Sequence, residues 1–277
     1  TAWTSMVFFV GVISYASALV ARSYGAKNYS ECPGIIHQAL RLGVYAYPLV
    51  LLVGFFASKS FKLAGHDPLQ TKLELIYFWY MLIGGSIITL IRAPLASFFS
   101  GIGKTSMIMK SSFVGMFINL LFNYLLIFGK CGFPKMGITG AAIGTLLANF
   151  AMTLILYYVF LKYSRKKEYK KSNARKYDRK TFVALLKYGI PSGIDMFLGT
   201  SAFNLVISIF HGYGADAAAA VTIVMNWDLL AFFPLQGVQI AVTTLVSQNL
   251  GAGRIKGAEQ AAYSGFKLNI FYSLLIM

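Results

Sequence analysis

Residues 216–253 read DAAAAVTIVMNWDLLAFFPLQGVQIAVTTLVSQNLGAG. The run is long and apolar enough to cross a bilayer as one helix, because about twenty apolar residues span the hydrocarbon core. It also holds an acid, Asp228, and a proline, Pro234, near its middle. An aspartate at mid-helix costs about 2.5–3.5 kcal/mol on insertion scales. The proline ring leaves the carbonyl of Leu230 without its helical donor and allows a bend. The last third of the run, LVSQNLGAG, repeats LVARSYGAK at 19–27.

The rest of the chain is of the same kind. Of 277 residues, 57% are hydrophobic and 12% charged, against about 25% charged in soluble domains. Apolar runs recur along the whole length, which implies an all-α, polytopic membrane helical bundle. Full spans are predicted near 4–22, 35–57, 75–98, 107–128, 138–161, 182–210 and 218–248, with one more beginning near 261. The connections GAKNYSECPG, AGHDPLQ, SGIGKTS, GKCGFPKMG and HGYGAD carry turn residues. The formal charge of +16 would suit nucleic acid, but ten of the 25 Lys and Arg residues fall within 162–180. A positive-inside loop explains that block, so no nucleic-acid partner is expected. The partner is the lipid bilayer, and the basic segment is placed to touch anionic headgroups. Cys32 and Cys131 lie far apart and say nothing of redox compartment. The first apolar run lacks a basic leader, so no signal peptide is expected.

Counting basic residues by loop gives an orientation. Alternate loops 22–34, 101–110, 162–180 and 251–260 hold 2, 2, 10 and 2 Lys or Arg, and the opposite set holds 3, 2 and 0. The richer set is assigned to the cytoplasm. The repeat agrees. At an offset of 226, Gly11-Val12, Leu19-Val20, Gly25-Ala26 and Leu42 match Gly237-Val238, Leu245-Val246, Gly251-Ala252 and Leu268. Both copies end a span on the same side, and six spans separate them, so the halves insert in parallel. The offset also leaves the span at 182–210 without a counterpart, which predicts an excerpt of a six-plus-six protein of about 430–450 residues. That excerpt would lack the first helix and the last three or four.

Several stretches resemble one family. LVARSYGA and LVSQNLGAGR resemble the ends of the second and eighth helices of the multidrug and toxic compound extrusion (MATE) transporters. SFFSGIGKTSMIMKSSFVGMFINLLFNYLLIFGKCGFPKMGITGAAIGTLLAN, 97–149, resembles the family's fourth-to-sixth-helix region, and KYGIPSGID, 187–195, the start of its seventh helix. The resemblance implies two parallel six-helix repeats, only partly present here. Residues 1–161 would be the N-terminal bundle (second to sixth helices), 162–180 a basic cytoplasmic linker, and 181–277 the start of the C-terminal bundle. It further implies a multi-pass protein of the cell membrane, not an enzyme, that exports organic, often cationic, compounds or drugs in exchange for Na+ or H+ by alternating access. No cofactor is implied beyond the coupling ion, and a monomer is expected. In some members an acid lies on the seventh helix about eight residues after the proline. Here that position is Gly199, and the acid is Asp195, four after Pro191 and on the face that Gly199 shares.

Of nine acids, only Asp195 and Asp228 fall within spans. A carboxylate in a low-dielectric cavity keeps its proton until a cation stabilises the charged form. Competition between Na+ or H+ and a cationic substrate for Asp195 or Asp228 would couple their movements. Gln239, three turns on, shares the Asp228 face, and Asn226 and Trp227 adjoin it. Trp227 reads either as a cavity wall for aromatic cations or as packing. Pro234, Pro191 and Gly189 are candidate hinges. Asn119 and Asn123, four apart, read as cavity-lining amides or as interhelical hydrogen-bond glue, with Asn149 on the next span. Arg92, beside Pro94, reads as a structural cation near the cytoplasmic end. Gly140, Gly144 and Ala148 make a small-residue ridge for close helix packing. His37, His66 and His211 show no metal-ligand spacing, so no metal site and no catalytic residues are expected.

Other functions weigh less. A flippase for lipid-linked oligosaccharide or lipid precursors, the alternative reading, would place several cations in its cavity to hold phosphates. The mid-span charges here are mainly acidic. RSYGAKNYSE does not match the basic loop signature of sugar–proton symporters, and an intramembrane enzyme would need a nucleophile and base within a span. A seven-helix receptor would not carry the 226-residue repeat.

Overall fold

The computed structural model describes residues 2–63, 68–170, 174 and 176–276. His66 and residues 171–173 and 175 of the basic segment lie outside the described residues. All regular elements among the described residues are helical, as chains in lipid must satisfy their backbone polar groups within each segment. α1 (Ala2–Ser14) and α2 (Ala16–Gly25) make the first span. α3 (Cys32–Leu63) follows a single 3-10 turn, and α4 (Pro68–Tyr80) joins α5 (Ser86–Gly101) through a π turn at Met81–Gly85. α6 (Thr105–Phe128), α7 (Ile138–Ser164), α8 (Arg179–His211), α9 (Ala215–Gly251) and α10 (Ile255–Ile276) complete the order. Seven segments are long and apolar enough to cross a membrane, each overlapping one expected from the sequence.

Two departures from straight spans arise where the sequence drew no attention. The first span breaks at Tyr15, between Ser14, which donates to the Val10 carbonyl at 2.8 Å, and Ser17, which donates to the Ser14 carbonyl at 2.9 Å. Serine hydroxyls that bond back onto helical carbonyls compete with the ladder and bend helices. The second is the π turn, whose wider loop disturbs the carbonyl ladder. Tyr47 from α3 donates to the Ile83 carbonyl there at 3.0 Å. By contrast, α8 and α9 run as continuous helices through Pro191 and Pro234.

The core lies mainly in α1–α5 and α7, with Leu185 of α8 packed into it. In the apolar stretch of the first span 56% of residues are buried, against 6% in α8 and in α9. Ile13, Val20, Ile36, Leu90, Leu95 and Phe98 are among those fully enclosed. α6 lies along α7, and the small-residue ridge explains how closely: a Cβ on Gly140 would fall 2.7 Å from the Leu126 carbonyl. Small residues let backbones approach in lipid, where helix association depends on packing and not on burial of apolar surface.

Part of the basic segment folds back onto this core. Tyr169 is buried beside Phe98, at 6.1 Å between ring centres, and Tyr29, at 5.8 Å. Burial pushes its phenol well above the ordinary range, so the ring stays neutral. Nearby, Lys104 donates to the Tyr163 hydroxyl at 2.9 Å, and that bond holds its ammonium above the ordinary value. Edge-to-face aromatic pairs contribute about 0.5–1.5 kcal/mol beyond their buried area. The segment is therefore fastened at its start and is not a loose tether there.

Candidate functional site

α8 and α9 join the first seven helices along two lines. The first follows α1. A Cβ on Gly11 would lie 2.7 Å from the Gly193 Cα, and one on Gly189 would lie 2.6 Å from the Val12 carbonyl. The rings of Tyr15 and Tyr188 stack at 5.9 Å, and Asn204 donates to the Thr4 hydroxyl at 3.3 Å. Glycines on both helices make this approach possible, because side chains at those positions would hold the backbones apart.

The second line is short and lies where the repeated tails end. A Cβ on Gly25 would overlap the Gln248 carbonyl, and a Cβ on Gly251 would overlap the Arg22 carbonyl. At the offset of 226, Gly25 corresponds to Gly251 and Arg22 to Gln248. The two tails therefore cross as equivalent partners, each glycine seated on the other copy's backbone. Side chains fix the crossing: Gln248 donates to the Gly101 carbonyl at 2.8 Å, and buried Thr244 donates to the Ser100 carbonyl at 3.3 Å. The sequence revealed the repeat but not that its copies touch. Gln248 and Thr244 carried no signal, being ordinary polar residues near a helix end.

The acids lie away from both lines. Asp195 is exposed, two residues after buried Gly193 and so about 200° round the helix from the face toward α1. Gly199, on the same face, has nothing within 4 Å of where a Cβ would stand. Asp228 is exposed on α9, sixteen residues before Thr244 and about 24 Å along the helix from it. Asn226 turns its amide back to the Thr222 carbonyl at 2.9 Å, and Trp227 is 70% exposed. The Gln239 side chain is exposed, and its carbonyl accepts from Thr243. Within the described residues nothing closes these groups into one pocket.

Asn119 and Asn123 lie elsewhere. Asn123 donates to the Asn119 side chain at 3.1 Å, and Asn119 donates to the Thr145 hydroxyl of α7 at 3.3 Å. Asn149 bonds the Thr145 carbonyl at 2.9 Å, which extends the ladder along α7. α6 packs on α7 and α5, whereas α9 packs on α2, α5, α8 and α10. The amides thus join two neighbouring helices and are not brought to Asp228. On the other side of α9, Tyr272 of α10 donates to the Ala231 carbonyl at 3.1 Å, one residue beyond the carbonyl that Pro234 leaves without its donor. Arg92 has a buried Nε with no partner among the described residues.

Residues 1–125 and 191–277 match the family described as MatE. A probable multidrug resistance protein NorM of Bacillus cereus is 30% identical over 271 residues, covering 96% of this chain and 59% of the relative. A probable NorM of Thermotoga maritima is 26% identical over 276 residues, with 99% of this chain and 59% of the relative covered. The chain therefore spans about three fifths of the length of these curated relatives. The fold matches a MOP superfamily transporter from Pyrococcus furiosus with a TM-score of 0.83 at 20% identity, over 99% of this chain and 60% of that one. An outward-facing MATE family multidrug resistance transporter matches at 0.81 and 20%, over the same shares.

Proposed function

The chain belongs to the MatE family of multi-pass membrane transporters, and on that premise we propose that its protein is a secondary active antiporter. It exports organic, often cationic, compounds in exchange for Na+ or H+ by alternating access. The observation that carries this reading is the reciprocal crossing of the α2 and α9 tails. Such a contact closes one side of a two-part transporter while leaving the span-internal carboxylates on the far side of it. By the positive-inside count that closed side is cytoplasmic. Residues 1–161 and 181–277 then belong to two bundles joined by the basic linker. The tails separate when the transporter turns to the cytoplasm, and rigid rocking of one repeat against the other is how parallel-repeat carriers alternate.

Asp195 and Asp228 supply the coupling. Na+ or H+ and an organic cation compete for each carboxylate, because each of them neutralises the same charge. Na+ or H+ entering from outside then displaces an organic cation, and the reverse exchange reloads the site from inside. Asn226, Trp227 and Gln239 are placed to contact cargo as it passes along the Asp228 helix. Trp227 offers an exposed face for an aromatic or quaternary cation. Pro234, Pro191 and Gly189 give α9 and α8 the give that rocking requires.

The test is dye efflux from cells making the full-length protein, with an imposed Na+ or proton gradient as the variable. Efflux should follow one of the two gradients and fall at least about tenfold in Asp228→Asn or Asp195→Asn, the size of one lost charge interaction. Full gradient-driven efflux in both variants would overturn the coupling.

A further inference from the structure

At the basic end of the bundle lies a cavity of about 380 Å³, bounded by the tail of α2, the start of α3, the end of the basic segment and the first turns of α8. Three cations line it, Arg22, Lys176 and Lys180, together with two carboxylates, Glu31 and Asp178. The Asp178 carboxylate is already engaged. It caps α8, accepting from the Lys180 amide at 3.0 Å and from the Thr181 hydroxyl at 2.6 Å. The wall is held in place from inside: Gln38, fully buried, donates to the Lys176 carbonyl at 2.8 Å, and Arg41 donates to the Gln38 side-chain oxygen at 3.2 Å. The Arg22 backbone is held from the other side, where its carbonyl lies against Gly251 in the crossing of the tails. Cations from three separate elements are thus brought round one concave space, at the helix end where the α8 dipole is positive. A volume in this range suits a small ligand.

We propose that this cavity is an anion site for a phosphate-bearing group, either the headgroup of an anionic lipid or a soluble phosphate compound. Lys176 and Lys180 act as point charges, and Arg22 offers the planar fork that matches phosphate. A phosphate bound there ties the α2 tail to the start of α8, and so fastens the side on which the two tails meet. The site differs in place and in ligand charge from the carboxylates of α8 and α9.

The experiment uses the full-length protein. Retention of short-chain phosphatidylglycerol is compared with that of zwitterionic phosphatidylcholine by native mass spectrometry, and inorganic pyrophosphate is tested separately by thermal shift. The cavity variant is Arg22→Gln/Lys176→Gln/Lys180→Gln. The control, Lys162→Gln/Lys167→Gln/Lys170→Gln, removes the same charge from exposed positions of the same segment outside the cavity. The proposal expects a charged probe to be held, with affinity falling about fivefold for each cavity cation removed and unchanged in the control. Retention of phosphatidylglycerol alone assigns a lipid, and a response to pyrophosphate alone assigns a soluble phosphate. Equal weakening in both triple variants, or no preference for either charged probe over phosphatidylcholine, overturns the site.

Discussion

Gly11 and Gly237 occupy equivalent places in the two copies of the repeat, yet their surroundings are opposite. Gly11 is buried with the Gly193 backbone against it, whereas Gly237 has nothing within 4 Å. Fourteen residues on in each copy, Gly25 and Gly251 are alike, each pressed on a carbonyl of the other copy. The repeat sets where a small residue stands on its helix, and the neighbour decides whether smallness is needed. At the crossing each copy is the other's neighbour, so the equivalence survives. Further up, Gly11 meets α8, while no described helix stands in that relation to Gly237.

Side chains at the crossing are expected to do the most damage. Gly25→Leu and Gly251→Leu push a Cβ into backbone, which cannot swing aside as a side chain can, so each should cost about 3 kcal/mol or more. The measurement is thermal unfolding of the full-length protein in detergent. Similar losses at the two positions sustain the equivalence. A loss at only one of them would mean that the tails are not reciprocal partners.

Next comes the contrast itself. Gly11→Leu should destabilise by about 1–3 kcal/mol through overpacking against α8. Gly237→Leu should change stability by no more than about 0.5 kcal/mol, as substitutions into open space do. Comparable destabilisation by the two would place a neighbour over Gly237. A smaller effect is expected where the crossing is fixed by hydrogen bonds: Gln248→Ala gives up the bond to the Gly101 carbonyl, which in membrane proteins averages about 0.6 kcal/mol. The same variant loosens the closed side, so its efflux should depend less steeply on the driving gradient.

How much of this was legible beforehand follows from which forces write themselves into sequence. Spans did, since a bilayer demands length and apolarity and little else, and the seven apolar segments fall where hydropathy placed them. The ridge of Gly140, Gly144 and Ala148 announced close packing, and α6 does lie there. The break at Tyr15 was invisible because serines within a span read as filler, although their hydroxyls bond back to the Val10 and Ser14 carbonyls. The π turn carries no proline to mark it, while the prolines of α8 and α9 lie inside continuous helices. The candidate site divides along the same line. Asp195 and Asp228 stood out because a charge in a span is costly. The crossing did not, because contact between distant segments has no local signature and Gln248 looks like any helix-end amide. The pair Asn119 and Asn123 was legible as two readings, and only the position of Thr145 on α7 favours the hydrogen-bond one.

That pair, compared with Asp228, supplies the cleanest separation of packing from transport. Asn119→Ala removes the bond to Thr145 between α6 and α7 and should cost about 0.6 kcal/mol. Efflux should continue in it, since among the described residues α6 packs mainly on α7 and α5. Asp228→Asn changes an exposed side chain with no described hydrogen bond at stake, so unfolding should shift by less than about 0.5 kcal/mol. Its efflux should nevertheless be lost, because an amide takes up neither a proton nor the charge that a cation balances. Measuring both quantities on both variants gives opposite patterns if the amides are glue and the acid is the coupling group. If Asn119→Ala loses transport at unchanged stability, the amide ladder belongs to the cargo path, and the division between an inert α6–α7 pair and an active α8–α9 pair fails.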